Sequence, residues 1–160
     1  CCILGGVVLR ISKLADYGTV VMVYLAKNAH DLCNARDIAA HTHLSVPTVS
    51  KILKRLTGAG LLCSVRGVTG GYRLLRSAAD ISVAEIIYAL EDHRGFTECS
   101  LQPNDCSLQG VCTIQGNWRL ISQAIESALG SVSLDALAKP TLKTVDVDRV
   151  RQLASGVSRG

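Results

Sequence analysis

Apolar residues recur at helical steps along the first third of the chain. After Ser12, which suits a helix start, Tyr17, Val20, Val21, Tyr24 and Leu25 share one face and predict a helix to about Ala29. A second helix is expected from Ala35 to about His41, with Ile38 and Ala39 inward. A break at Thr42-His43-Leu44 follows, and then Ser45 as an N-cap with Pro47 in the first turn of a third helix. Val49, Ile52, Leu53 and Leu56 form its apolar side, and Thr48, Ser50, Lys51, Lys54 and Arg55 its polar side. Gly58 and Gly60 end it. Leu61–Arg66 and Gly70–Leu75 then read as two strands joined by a hairpin tip at Gly67 to Gly70.

Ser82 and Glu85 have the spacing of a capping box and open a helix through about Asp92, with Val83, Ile86, Ile87 and Leu90 apolar. Farther on, Ile114, Trp118, Ile121, Ile125, Ala128 and Val132 recur at alternating steps of four and three. That 3.5-residue repeat is the seam of helices packed as in a coiled coil. It is read as a dimerisation helix, the plainer alternative being packing within the chain. The expected fold is mainly α with a small β-hairpin. It divides into a winged helix-turn-helix domain (9–80), a connecting helix with a cysteine loop (81–115), and the dimerisation helix with its following segment (116–138). A polar tail (139–160) has a short helix expected over Val147–Ala154.

Composition sharpens this picture. Of 160 residues, 48% are hydrophobic but only 4% aromatic, so the core must be aliphatic, which favours helices. No apolar run approaches the roughly 18 residues of a membrane span, and Cys1–Val8 lacks the basic leader of a signal peptide. The odd count of seven cysteines without secretory features points to a reducing cytoplasm. The net charge of +4 is unevenly spread: Ala35–Arg76 holds seven basic residues against Asp37, or +6, leaving −2 elsewhere. A basic segment in a near-neutral chain suits phosphate contacts, although an ordinary solvated helix face would carry the same charges. A short helix pair whose second member starts with small polar and basic residues is the helix-turn-helix pattern. The basic hairpin after it reads as a wing, with Arg66 at its base.

The remaining chemistry lies in Cys99, Cys106 and Cys112, within a polar stretch containing glycine and proline that reads as a loop. Three thiolates there suit an iron–sulfur centre, and zinc accepts them too, although zinc sites usually include a closer cysteine pair. Three idle surface thiols are the bland alternative, exposed to oxidation. Catalytic chemistry is not expected: there is no nucleophile–base pairing, phosphate loop or paired-acid constellation. His30, His41, His43 and His93 are scattered, and Cys33 and Cys63 read as structural, Cys63 facing the winged core.

Taken together, these features resemble the Rrf-type winged-helix regulators of bacteria, the family of the IscR, SufR and NsrR repressors. The resemblance covers roughly Leu9 to Leu137 and rests on the wing Ser64–Leu74 with the three cysteines. The opening Leu9–Gly18 looks closest to the branch regulating Suf cluster assembly. The resemblance implies a homodimer on a palindromic DNA operator, one iron–sulfur cluster per subunit (2Fe-2S favoured, 4Fe-4S the alternative), and no membrane or small-molecule substrate. By position it implies cluster ligands at Cys99, Cys106 and Cys112, and DNA contacts at Ser45, Pro47, Thr48, Ser50, Lys51, Arg55, Arg66 and Gly67. The IscR-like members place a histidine three residues after the last cysteine, where this chain has Gln115. The nitric-oxide-sensing branch instead takes an aspartate from the partner's first helix, which matches Asp16; a small molecule, His93 or an open position are the alternatives. The competing functions are a zinc- or thiol-based redox regulator without iron and, in another class, an electron-transfer or cluster-delivery protein.

Overall fold

A computed structural model describes residues 11–67, 69–91 and 115–140. Cys99, Cys106 and Cys112, Val68 at the hairpin tip and the helix expected over Val147–Ala154 lie outside the described residues. The elements are helices α1 (Lys13–Lys27), α2 (Ala35–Thr42) and α3 (Val46–Gly58), strands β1 (Leu62–Val65) and β2 (Gly71–Leu74), and helices α4 (Val83–Leu90), α5 (Gln115–Gly130) and α6 (Leu134–Ala138). A single 3-10 turn, Ala78–Asp80, precedes α4. The result is mainly helical with a small antiparallel hairpin, as the sequence predicts.

Ser12 caps α1, its hydroxyl accepting from the Ala15 N–H. The buried stripe of α1 is Ala15, Gly18, Val21, Met22 and Leu25, with Tyr17 and Tyr24 packed against the core, so the expected face is corrected at Val20 and gains Ala15, Gly18 and Met22. Val20 is 44% exposed, and Tyr17 and Tyr24 are half-buried. The physical reason is close approach. A Cβ at Gly18 would run into the Leu90 side chain, so the glycine there lets α4 approach closely. Small residues carry little weight in a hydrophobic pattern, and the face therefore reads as rotated. The helix stops short of Ala29 because Asn28 caps it, its side chain donating to the Tyr24 carbonyl at 2.8 Å.

Helix α2 is capped by Asn34 and closes on His43, whose φ of 55° is the left-handed conformation. That residue sets the turn between α2 and α3. Val49, Ile52, Leu53 and Leu56 of α3 are fully buried, as expected. Leu62 pairs with Leu74 and Val65 with Gly71 in the hairpin. Cys33 adds a third rung: it exchanges backbone hydrogen bonds with Tyr72 at 3.1 and 2.9 Å. A Cβ at Gly71 would lie 2.9 Å from the Cys33 backbone, so this rung needs glycine there.

Helix α4 opens with the expected capping box and ends at Leu90, before Asp92, because Glu91 turns to extended backbone as its C-cap. After α5 the chain returns to the segment before α4: the Leu134 N–H donates to the Ile81 carbonyl at 2.7 Å and the Val83 N–H to the Val132 carbonyl at 2.9 Å. Leu134 and Ile81 are fully buried in the same aliphatic core as Met22, Ile52 and Leu90. The segment following the long helix is thus part of the floor beneath α1. Among the described residues, no helix is long and apolar enough to cross a membrane.

Candidate nucleic-acid interface and the end of helix α4

The exposed side of α3 is built from its cap outward. Ser45 precedes the helix with extended backbone, and its hydroxyl accepts from the Thr48 N–H at 3.4 Å. The same hydroxyl pairs with the Thr48 hydroxyl at 2.8 Å. This satisfies a donor that the first helical turn would otherwise leave open. Pro47 occupies that turn, and Pro47, Ser50, Lys51 and Lys54 are exposed. Val46 at the head of the helix is also 42% exposed. The wing brings Arg66, exposed at the end of β1, beside Gly67, whose φ is 123°.

Arg55 differs from its neighbours. It is half-buried, and its Nη1 donates to the Leu90 carbonyl at 2.7 Å. That carbonyl belongs to the last turn of α4, where a cation also suits the helix dipole. Beside it, the Glu91 carboxylate accepts from the Ser12 N–H at 2.9 Å. The end of α4 is thus joined both to α3 and to the head of α1. The sequence marks Arg55 only as an expected DNA contact, since no local pattern announces a bond to a residue 35 positions away.

Asp16 is exposed in the first turn of α1. Among the described residues, no three His, Cys, Asp or Glu side chains gather to hold a metal. The two described cysteines are engaged otherwise. Cys33 is buried, and burial first, then Asp31 and Asp37, pushes its thiol pKa up, which makes it an inert thiol. Cys63 is half-exposed rather than turned into the core, and its sulfur accepts from Arg73 Nε at 3.3 Å. This corrects the expected inward placement: strand alternation buries Leu62, so its neighbour in β1 faces the other way.

The Rrf2 family, described as an iron-dependent transcriptional regulator, matches residues 11–140. The chain belongs to the Rrf2 family. Among its relatives, the HTH-type transcriptional regulator IscR of Xenorhabdus nematophila is 33% identical over 132 residues, covering 82% of this chain and 80% of that protein. The HTH-type transcriptional regulator NsrR of Bacillus licheniformis is 29% identical, covering 92% of this chain and all of that one. In structure the chain is similar to CymR, the global cysteine regulator of B. subtilis, with a TM-score of 0.66, 30% identity and coverage of 83% and 98%. It is also similar to T. potens IscR, with a TM-score of 0.63, 32% identity and coverage of 83% and 88%. The Rrf2 relatives are DNA-binding transcriptional regulators rather than enzymes, and this chain is a regulator of the same kind. In that setting α2 and α3 are the helix pair, and the β1–β2 hairpin the wing, of a winged helix-turn-helix fold.

Proposed function

We propose that this Rrf2 regulator senses an iron–sulfur cluster and represses genes of cluster assembly as a cytoplasmic homodimer. The observation that carries the reading is the spacing of Cys99, Cys106 and Cys112 in a chain whose described cysteines, Cys33 and Cys63, are engaged elsewhere. Three thiolates fit an iron–sulfur group, of which the 2Fe-2S type is favoured. The exposed carboxylate of Asp16 suits the fourth position, donated to the other subunit. A group so bound would supply an oxidant-sensitive centre whose presence ties the cysteine segment to the partner's first helix.

The chain's own contacts support a route from there to DNA. The last described residues before the cysteine segment, Leu90 and Glu91, touch Arg55 on the recognition helix and Ser12 at the head of the helix bearing Asp16. A shift of this junction tilts α3 against the operator, and operator affinity then differs between two states. Ser45, Pro47, Thr48, Ser50, Lys51, Arg66 and Gly67 form the operator face in this reading. Arg55 serves it by orienting α3. The exposed apolar residues of α5, Trp118, Leu120 and Ile121, support the homodimer.

The deciding experiment is iron and acid-labile sulfide per chain on protein purified without oxygen, with operator affinity before and after cluster removal. Comparable iron and sulfide, visible absorption that bleaches in air or nitric oxide, and a change in affinity are expected. In Asp16→Ala the spectrum and the affinity change should both be altered; if both match wild type, Asp16 is not the fourth ligand. Colourless protein without sulfide after reconstitution would instead favour direct thiol sensing or zinc. That second reading is supported by the likeness to CymR, a cysteine regulator solved also in an oxidised form.

A further inference from the structure

The head of the recognition helix carries an apolar surface where the sequence suggests a hydroxyl one. Ser45 and Thr48 are committed to each other and to the helix cap, through the 2.8 Å hydroxyl pair and the 3.4 Å bond to the Thr48 N–H. Both hydroxyls therefore have a partner within the chain before any base arrives. Between them stand Val46, 42% exposed, and Pro47, also exposed. Val46 lies three residues before Val49, which is fully buried, yet it escapes the core because the helix begins there and, among the described residues, none buries its first turn. An isopropyl group and a proline ring side by side, at the point where a recognition helix meets the major groove, have few hydrogen-bonding partners to offer. In that groove the apolar group a base pair displays is the thymine 5-methyl.

We propose that Val46 is a specificity-determining residue that reads a thymine methyl in the operator, with Pro47 closing the other side of the contact. The inference rests on DNA binding by the helix-turn-helix and is independent of the cysteine segment and of any cluster. Valine serves this role because its branched side chain is stiff at χ1, so the methyl meets a preformed surface. Ser50 and Lys51, one turn on and exposed, remain for polar readout and phosphate contact.

The test begins with duplexes selected from a random pool by the purified full chain. Each thymine of the selected site is then replaced in turn by deoxyuridine, which deletes only the methyl group. At one thymine or more, wild type should bind about fourfold more weakly, the effect of one methyl withdrawn from an apolar contact. Val46→Ser and Val46→Asn, which leave no methyl to meet the base, should lose that sensitivity while melting within a few degrees of wild type. Loss of sensitivity in both variants, at the same thymine, supports the contact. If every uridine substitution affects wild type and variants equally, or none affects wild type, Val46 does not read the base.

Discussion

Helices α3 and α5 are both amphipathic, but they use their apolar faces differently. In α3 the core-facing stripe Val49, Ile52, Leu53 and Leu56 is fully buried, with Val46 left exposed at the head of the helix. In α5, which also rests on α4, Trp118, Leu120 and Ile121 are 38, 58 and 46% exposed. The difference shows that apolar periodicity reports only that a face wants covering, and not by what. Helix α3 spends its apolar stripe on holding position and leaves its polar side exposed, the side assigned to DNA in the proposed function. Helix α5 has apolar surface left over, which is what a second copy of the chain would cover.

The sharpest way to break this comparison is to truncate one residue of each kind. Leu53→Ala leaves a cavity in a close-packed aliphatic core and should cost about 2–5 kcal/mol in chemical denaturation. Ile121→Asp should cost the protomer little, because the residue is half in solvent, yet sedimentation should show a shift from dimer to monomer and operator binding should weaken with it. A dimer that survives Trp118→Asp and Ile121→Asp together would mean that α5 is not the dimer seam.

A smaller effect separates two arginines that charge counting treats alike. Arg66 is exposed on the wing, whereas Arg55 spends a donor on the Leu90 carbonyl. Arg66→Ala should weaken operator binding and reduce the salt dependence by about one unit in the log–log slope, as for a lost phosphate contact. Arg55→Ala should also weaken binding but leave the slope near that of wild type, and Arg55→Lys should restore part of the affinity. A reduced slope in Arg55→Ala would return that residue to the phosphate-contacting set.

Legibility followed the same division. The elements whose signal is local were readable: the caps at Ser12, Ser45 and Ser82, the buried side of α3, and the turn residues of the wing. What escaped depends on close approach between distant segments. Gly18 looks like a weak helix position until the Leu90 side chain of α4 is seen against it. Cys33 looks like a lone thiol until its backbone pairs with Tyr72. The break at Thr42-His43-Leu44 was legible, but not which residue takes the left-handed conformation: His43 does, a residue type enriched there yet a weaker signal than glycine. Of the candidate site, the cap at Ser45 and the exposed polar side of α3 were legible, while the commitments of Ser45, Thr48 and Arg55 within the fold were not.

The smallest predicted effect concerns α4, the floor on which both helices rest. Its first turn is held by Glu85, which accepts from the Ser82 N–H at 2.9 Å and meets Arg76 Nη2 at 2.6 Å. The Arg76 hydrogen bond first, and then the Ser82 N–H, hold the Glu85 carboxyl below its usual range. A carboxyl depressed in the folded state stabilises the fold above the unfolded pKa of about 4.3, and that contribution is lost as pH falls through the lower folded value. Glu85→Gln keeps an acceptor for the Ser82 N–H and removes the ion pair, whose members are 43 and 40% exposed and therefore well screened. It should cost a few tenths of a kcal/mol at pH 7, shrinking toward zero below about pH 4. Since α3 and α5 both pack on α4, the variant should lower melting temperature slightly without changing the salt slope of DNA binding. A loss that persists undiminished in acid would mean that the carboxamide disturbs the capping box itself, and that the floor depends on the shape of this turn rather than on its charge.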